Sequence, residues 1–120
     1  MEVLNHETFK SKVFDYEKNR EWSFGGKRPV IVDFYADWCG PCRALGPVLQ
    51  EVATTYAGHV DIYKVNTEAT PDLAAMFGVR GIPALLFIPV SGEPVMSAGF
   101  MPKEGIDRAI KEIFKLNVGD

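Results

Sequence analysis

A chain of 120 residues has room for one ordinary domain, and its 47% hydrophobic share is enough for a core without disulfide staples. The net charge of −3, with no run of Lys or Arg, argues against nucleic acid or an anionic membrane surface as a partner. No stretch reaches the ~18 apolar residues of a transmembrane helix, and the start of the chain lacks a signal-peptide pattern. We therefore expect one domain over residues 1–120, monomeric and cytoplasmic, or periplasmic if a signal peptide has been removed.

The first predicted element is a helix from about His6 to Glu17, capped by Asn5 and carrying apolar residues at helical spacing. Residues 18–28 are polar and contain glycine, which predicts a surface loop. Trp22 and Phe24 lie in this loop. They either cover the edge of the core or contact a partner.

The middle of the chain predicts alternating strands and helices. A nearly continuous apolar run from Pro29 to Tyr35 is typical of a central strand covered on both faces. A helix follows Cys42 and ends near Gly58, and Pro47 inside it predicts a kink. Residues 60–65 alternate between apolar and polar side chains, which predicts a second strand.

The last third of the chain predicts a helix, a hairpin and a final helix. Thr70-Pro71-Asp72 has the N-cap, proline and acid of a helix start. Ala84 to Ile88 and Pro94 to Ala98 are predicted strands joined by a turn at residues 91–93, and a helix is expected from about Lys103 to Leu116. This order predicts an α/β fold with a mixed central sheet and helices on both faces.

The two cysteines, Cys39 and Cys42, are separated by two residues at the start of a predicted helix. A stapled secreted domain would carry more cysteines, and a disulfide across so short a loop restrains little of the unfolded chain. A helix N-terminus has free N–H groups and about half a positive charge, which stabilise a thiolate, the form that attacks disulfides. We predict that Cys39 is the exposed nucleophile and Cys42 the buried resolving thiol.

The motif Trp38-Cys39-Gly40-Pro41-Cys42, with the preceding Val32 to Asp37, resembles the active-site segment of the thioredoxin family. The segment from Gly78 to Pro83 is similar to the family's cis-proline loop, and Gly99 corresponds to its glycine after the last strand. The resemblance extends from about Pro29 to Leu116. It implies a thioredoxin fold that reduces disulfides in protein substrates without a cofactor of its own. It also implies a thioredoxin reductase, a flavin enzyme using NADPH, as electron donor.

The resemblance implies roles for three more residues. Asp33 matches the family's buried acid, whose pKa would be raised inside an apolar strand and which would take the proton of Cys42 through a water. Lys64 matches the lysine that pairs with this acid. Pro83 matches the cis-proline opposite the sulfurs, which allows Ile82 to pair with an extended substrate. The alternatives are that Asp33 faces water at a strand end and that Lys64 is an ordinary exposed lysine.

An uncharged rim is expected around the Cys39 sulfur, where it would accept extended peptides with little side-chain selection. Its members are Trp38, Gly40, Pro41, Ile82, Pro83, Ala98 and Gly99. The alternative for Trp38 is that it fills the core. Gly40 would permit a tight turn, and Pro41 suits an early helical position. The sequence departs from the family's common pattern at Tyr35, where many members have tryptophan, and at Arg43, where many have lysine.

Three other functions fit parts of the sequence. A C-x-x-C pair can be half of a zinc site, but His6 and His59 are isolated and no second ligand pair lies at a suitable spacing. A docking subunit could keep this fold with incidental redox activity. An oxidase or isomerase of an oxidising compartment would use the same exchange chemistry. The Gly-Pro dipeptide and the absence of a histidine between the cysteines resemble reducing members instead.

Overall fold

The computed structural model describes residues 1–117, and a mixed sheet of five strands forms its centre. The strands are β1 (Glu2–Val3), β2 (Val30–Tyr35), β3 (Asp61–Asn66), β4 (Ala84–Ile88) and β5 (Val95–Ala98). They lie in the order β1-β3-β2-β4-β5. Strands β1, β2 and β3 run parallel, whereas β4 is antiparallel to both β2 and β5. The predicted mixed sheet is confirmed, and the predicted central strand lies in its middle.

Helices cover both faces of this sheet. Within residues 1–117 they are α1 (His6–Lys12), α2 (Gly40–Thr55), α3 (Pro71–Met76) and α4 (Lys103–Ala109), which continues as a π-helical segment (Ile110–Phe114). Phe9 of α1 and Leu73 of α3 join the core on one face. Leu45 and Leu49 of α2 join Ile106 of α4 in the core on the other. No helix of the described residues is long and apolar enough to span a bilayer.

The residues of β2 alternate between these two cores, because successive side chains of a strand point to opposite faces. Val30, Val32 and Phe34 belong to the core beneath α1 and α3, whereas Ile31 belongs to the core beneath α2 and α4. Asp33 has the same parity as Ile31, so its side chain lies on the α2 face. Burial on both faces explains why the sequence of β2 is an almost uninterrupted apolar run.

Helix α1 is shorter than predicted. Its Asn5 cap is confirmed, since the Asn5 side chain accepts a hydrogen bond from the Thr8 N–H at 2.9 Å. The helix nevertheless ends at Lys12, whereas the apolar spacing continues to Tyr16. The Asp15 carboxylate accepts hydrogen bonds from the backbone N–H groups of Glu17 and Lys18. This local pairing satisfies the backbone in a turn and competes with further helix.

The loop over residues 18–28 has no regular secondary structure, as predicted. The Trp22 ring lies 5.1 Å from that of Phe14 and 6.0 Å from that of Phe77, between ring centroids. Phe24 is also half-buried against the same core. Both aromatic residues therefore cover the core edge, which was the first of their two interpretations.

The other elements lie within a few residues of their predicted positions. Helix α2 already begins at Gly40, and it contains Pro47. Thr70 is the N-cap of α3, although its hydroxyl donates to the Asn66 carbonyl oxygen at 3.2 Å and not to its own helix. The antiparallel hairpin of β4 and β5 is confirmed. Strand β1 was not predicted, since two residues show no alternation.

Candidate active site

The two cysteines lie where β2 leads into α2. Strand β2 ends at Tyr35, Cys39 is the N-cap residue of α2, and Cys42 lies in the first helical turn. The sulfurs form a disulfide, with the two Cα atoms 5.2 Å apart. The site therefore stands at the carboxyl end of the central strand, where α2 rests on one face of the sheet.

The Cys39 sulfur occupies a position that favours negative charge. It accepts a hydrogen bond from the Cys42 N–H at 3.2 Å, as an N-cap side chain does. The first turn of α2 contains no acidic residue that would oppose an anion there. Because the unpaired N–H groups and the positive end of the helix dipole meet at this point, the geometry can stabilise a thiolate on Cys39.

The predicted difference in exposure between the cysteines is wrong for the oxidised pair. Cys39 is 5% exposed and Cys42 is 4% exposed. Tyr35 and Ile82 both pack against the cluster that the cysteines form with Ala36, so the disulfide is covered by neighbouring side chains. What distinguishes the two sulfurs is their place relative to the helix start.

The segment before β4 faces this disulfide. The Ile82–Pro83 peptide bond is cis, as the resemblance implied, and the Cys39 sulfur lies 3.8 Å from the Ile82 carbonyl oxygen. The Gly99 N–H donates to the Pro83 carbonyl oxygen at 2.8 Å, and Gly99 adopts a positive φ of 91° that favours glycine. Ala98 ends β5 in register with Ala84. The rim residues that are distant in sequence therefore come together beside the sulfurs.

Trp38 lies on the surface, so the alternative that it fills the core is wrong. Its side chain is 68% exposed, and its indole N–H donates to a Glu68 carboxylate oxygen at 2.6 Å. Gly40 and Pro41 are also exposed. Gly40 has no positive φ, and a Cβ there would meet only the Arg43 guanidinium at 4.0 Å, so neither the backbone conformation nor the available space requires glycine at this position. No sequence pattern linked Glu68 to Trp38.

Asp33 is fully buried on the α2 face of β2, so the alternative of an acid facing water is wrong. Within residues 1–117 neither of its carboxylate oxygens has a hydrogen-bond partner. Burial therefore raises the pKa of Asp33 from 3.8 to about 6, and the positive charge of Lys64 opposes this rise. A carboxylate with this pKa is ionised at pH 7 and can still accept a proton.

Lys64 lies directly opposite Asp33 on β3, as a partner should, but it makes a different contact. Its Nζ lies 4.2 Å from the centroid of the Tyr35 ring. Among the described residues it forms no ion pair within 4.0 Å. Tyr35 and Lys64 line a cleft of about 260 Å³ that also reaches Cys42. The electrostatic influence of Lys64 on Asp33 is thus exerted without a direct bond.

The two histidines do not approach the cysteines as a metal site would require. The His6 Nε2 lies 2.8 Å from both carboxylate oxygens of Asp72, a hydrogen-bonded contact between the starts of α1 and α3. Over residues 1–117 no three His, Cys, Asp or Glu side chains are grouped so that they could hold a metal ion.

A cysteine pair that closes a disulfide at the start of a helix is the site of a thiol–disulfide oxidoreductase. Comparison with known proteins finds matches over nearly the full length of the chain. The family model described as Thioredoxin matches residues 1–112. A thioredoxin of Borreliella burgdorferi is 45% identical over 111 residues, covering 92% of this chain and 95% of that protein. The chain therefore belongs to the thioredoxin family.

Two further comparisons agree with this assignment. Thioredoxin 1 of a Nostoc species is 36% identical over 105 residues, covering 88% of this chain and 89% of that protein. The crystal structure of a chloroplastic thioredoxin z superposes with a TM-score of 0.80 at 28% identity, covering 94% of this chain and 93% of that one. The protein is a thiol–disulfide oxidoreductase that reduces disulfides in protein substrates.

Proposed function

We propose that the reduction proceeds by two exchanges, in which Cys39 attacks and Cys42 resolves. The Cys39 thiolate first attacks a substrate disulfide, so that one substrate sulfur becomes bonded to Cys39 and the other leaves as a thiolate. The Cys42 thiolate then attacks the Cys39 sulfur. The Cys39–Cys42 disulfide forms, and the second substrate sulfur leaves reduced. The observation that carries this order is the N-cap position of Cys39, whose sulfur accepts the Cys42 N–H at 3.2 Å.

Asp33 is the proposed acceptor of the proton that Cys42 must lose before it attacks. General bases work best when their pKa lies near the working pH, and burial places the pKa of Asp33 at about 6. Neither oxygen is engaged by another described group, which leaves both available for a proton. Lys64 is proposed to act on Asp33 through its charge.

The proposed substrate surface is the uncharged rim around the disulfide. An extended peptide would pair with the backbone of Ile82, and the side chains around the disulfide would discriminate little between different substrate side chains. The support is that most rim residues are exposed or half-exposed, with Pro83 buried behind them. The set comprises Trp38, Gly40, Pro41, Ile82, Pro83, Ala98 and Gly99.

An external thioredoxin reductase is the proposed electron donor. Each turnover leaves the cysteine pair oxidised, and the chain has no G-x-G-x-x-G pattern with which to bind a nicotinamide cofactor itself. A flavin enzyme using NADPH would supply the two electrons. We propose that the protein is a monomer. We also propose that it acts in the cytoplasm, where it would reduce disulfides in other proteins.

The reduction potential tests the proposed direction. We expect the pair to equilibrate with a glutathione buffer series at about −270 mV, the value typical of thioredoxins. The Gly40-Pro41 dipeptide carries no histidine that would stabilise the reduced form further and make the disulfide a stronger oxidant.

The matched variant for this measurement is Pro41→His, which introduces such a group. Its potential should be less negative than that of the native chain, and each 30 mV of difference corresponds to about 1.4 kcal/mol. A native value near −180 mV, typical of disulfide isomerases, would contradict the reductant proposal and favour an oxidising compartment.

A further inference from the structure

Asp33, Tyr35 and Lys64 share one face of the sheet beneath the start of α2. Asp33 and Tyr35 are two residues apart on β2, so their side chains point to the same side. Lys64 stands opposite Asp33 in the parallel register of β2 and β3. A lysine so placed has a buried carboxylate and an aromatic ring within reach.

The ammonium group lies over the ring. Its Nζ is 4.2 Å from the Tyr35 centroid, well inside the range of a cation–π contact. In residues 1–117 both Asp33 oxygens lack a hydrogen-bond partner, and Lys64 makes no ion pair within 4.0 Å. The ring therefore holds the cation that would otherwise bind the carboxylate.

We propose that Tyr35 is a positioning residue of the resolving step, whose ring holds the Lys64 ammonium off Asp33 so that this carboxylate remains basic enough to accept the Cys42 proton. The inference rests on the role proposed above for Asp33. A direct ion pair would stabilise the ionised carboxylate and weaken it as a base. Removal of the lysine would have the opposite effect, and Asp33 would keep its proton to higher pH. The ring therefore keeps the effect of Lys64 on the pKa of Asp33 between that of a direct ion pair and that of a missing lysine.

Other charged groups at this cleft are few. Asp37 lies in the loop before α2, and the Arg43 guanidinium of α2 donates to the Asp37 carbonyl oxygen at 2.9 Å. From β4, Leu85 stands opposite Asp33 and brings no charge. Burial raises the pKa of the Tyr35 hydroxyl, so it remains neutral at pH 7. Of Arg43 and Lys64, it is Lys64 whose charge lowers the pKa of Asp33, so a change at Tyr35 can act on Asp33 through Lys64.

The test compares Tyr35→Leu, which removes the ring, with Tyr35→Phe, which keeps it. We expect the acid-dissociation constant of Asp33 to rise about threefold in the Leu variant, as the loss of a cation–π contact allows. The pH profile of mixed-disulfide resolution should move to lower pH by the same factor, and the Phe variant should match the native chain. Carbon NMR of the Asp33 carboxyl group and rapid-mixing kinetics supply the two readouts.

The Tyr35→Leu substitution in a Lys64→Met background tests whether the ring acts on Asp33 through Lys64. If the ring acts by positioning Lys64, Tyr35→Leu leaves the Asp33 titration of the Lys64→Met chain unchanged. A rise of equal size in that background would show that the substitution merely admits water, and would overturn the inference. Tyr63→Leu is the matched control, since that ring also lies near a lysine, 5.6 Å from the Lys12 Nζ, and its loss should not move the Asp33 titration.

Failure of this inference is distinguishable from failure of the role of Asp33. An Asp33 titration that is the same in the native and Tyr35→Leu chains overturns the positioning role, whatever the activity. An unchanged resolution rate in Asp33→Asn overturns the proposed proton acceptor instead. In that case the titration in the Tyr35 variants still decides whether the ring controls Lys64.

Discussion

The Cys42→Ser variant will accumulate a stable mixed disulfide with substrate, whereas Cys39→Ser will accumulate none and will reduce no substrate. Of the two sulfurs, that of Cys39, at the N-cap position of α2, accepts a hydrogen bond from a helix N–H. This position stabilises a thiolate. Without Cys42 the first exchange still occurs, but nothing releases the product. Loss of Cys39 removes the nucleophile itself, and we expect activity to fall by several orders of magnitude.

Trapping is measured by non-reducing electrophoresis and mass spectrometry after mixing each variant with an oxidised protein substrate. The chain contains two cysteines, so a covalent product of either single variant identifies the attacking sulfur without ambiguity. The double variant should give no adduct. Equal trapping by Cys39→Ser would reverse the assignment of the two roles.

Asp33→Asn will slow the resolution of the mixed disulfide more than its formation. Only resolution requires Cys42 to lose its proton, and the amide cannot accept it. General-base assistance is typically worth 10²–10⁴-fold, and solvent can replace part of it, so we expect roughly a tenfold to hundredfold slower second step at pH 7. The deficit should shrink as the pH rises and Cys42 ionises without help. Rapid-mixing kinetics separate the two steps.

The same variant will be more stable than the native chain at neutral pH. The folded-state pKa of Asp33, about 6, lies above its ordinary value of 3.8, so the folded state binds the proton more tightly than the unfolded state. The free energy of unfolding therefore decreases as the pH rises from about 4 to about 6. Above that window the ionised buried carboxylate costs about 3 kcal/mol, which the neutral amide avoids.

Urea denaturation of the two chains at pH 4 and pH 7 measures this difference. Asp33→Asn should exceed the native chain by up to about 3 kcal/mol at pH 7 and by little at pH 4. Asp61→Asn is a matched control on β3, because Asp61 is half-buried and ion-paired with Arg28 at 3.2 Å. A stability advantage of Asp33→Asn that is equal at both pH values would contradict the raised pKa.

Local pattern was sufficient for the central strand and for the site that follows it. The apolar run of β2 indicates burial on both faces, and the cysteine spacing indicates the helix start. Both signals arise from neighbouring residues, so both can be read from the local sequence. The extent of α1 was overestimated because the apolar spacing continues past Lys12, while the Asp15 side chain satisfies the following backbone in a turn. Hydrophobic periodicity does not show that a side chain competes with the helix for backbone hydrogen bonds.

The features that sequence reasoning missed depend on residues that are distant in the chain. Ile82 packs on the cysteine cluster from more than forty positions away, so the burial of Cys39 could not be inferred from its own segment. The hydrogen bond between Trp38 and Glu68 also joins residues that are distant in the chain. Lys64 had two available partners on β2, and the choice of the Tyr35 ring over the Asp33 carboxylate is decided by side-chain packing.

Reduction of insulin by the chain in the presence of dithiothreitol tests the central claim most directly. The native protein should accelerate the precipitation of the freed insulin chain well above the rate with dithiothreitol alone, and the Cys39→Ser/Cys42→Ser double variant should not. A double variant as active as the native chain would contradict reduction through Cys39 and Cys42. A native chain without effect would contradict disulfide reduction altogether and leave the docking subunit as the better account.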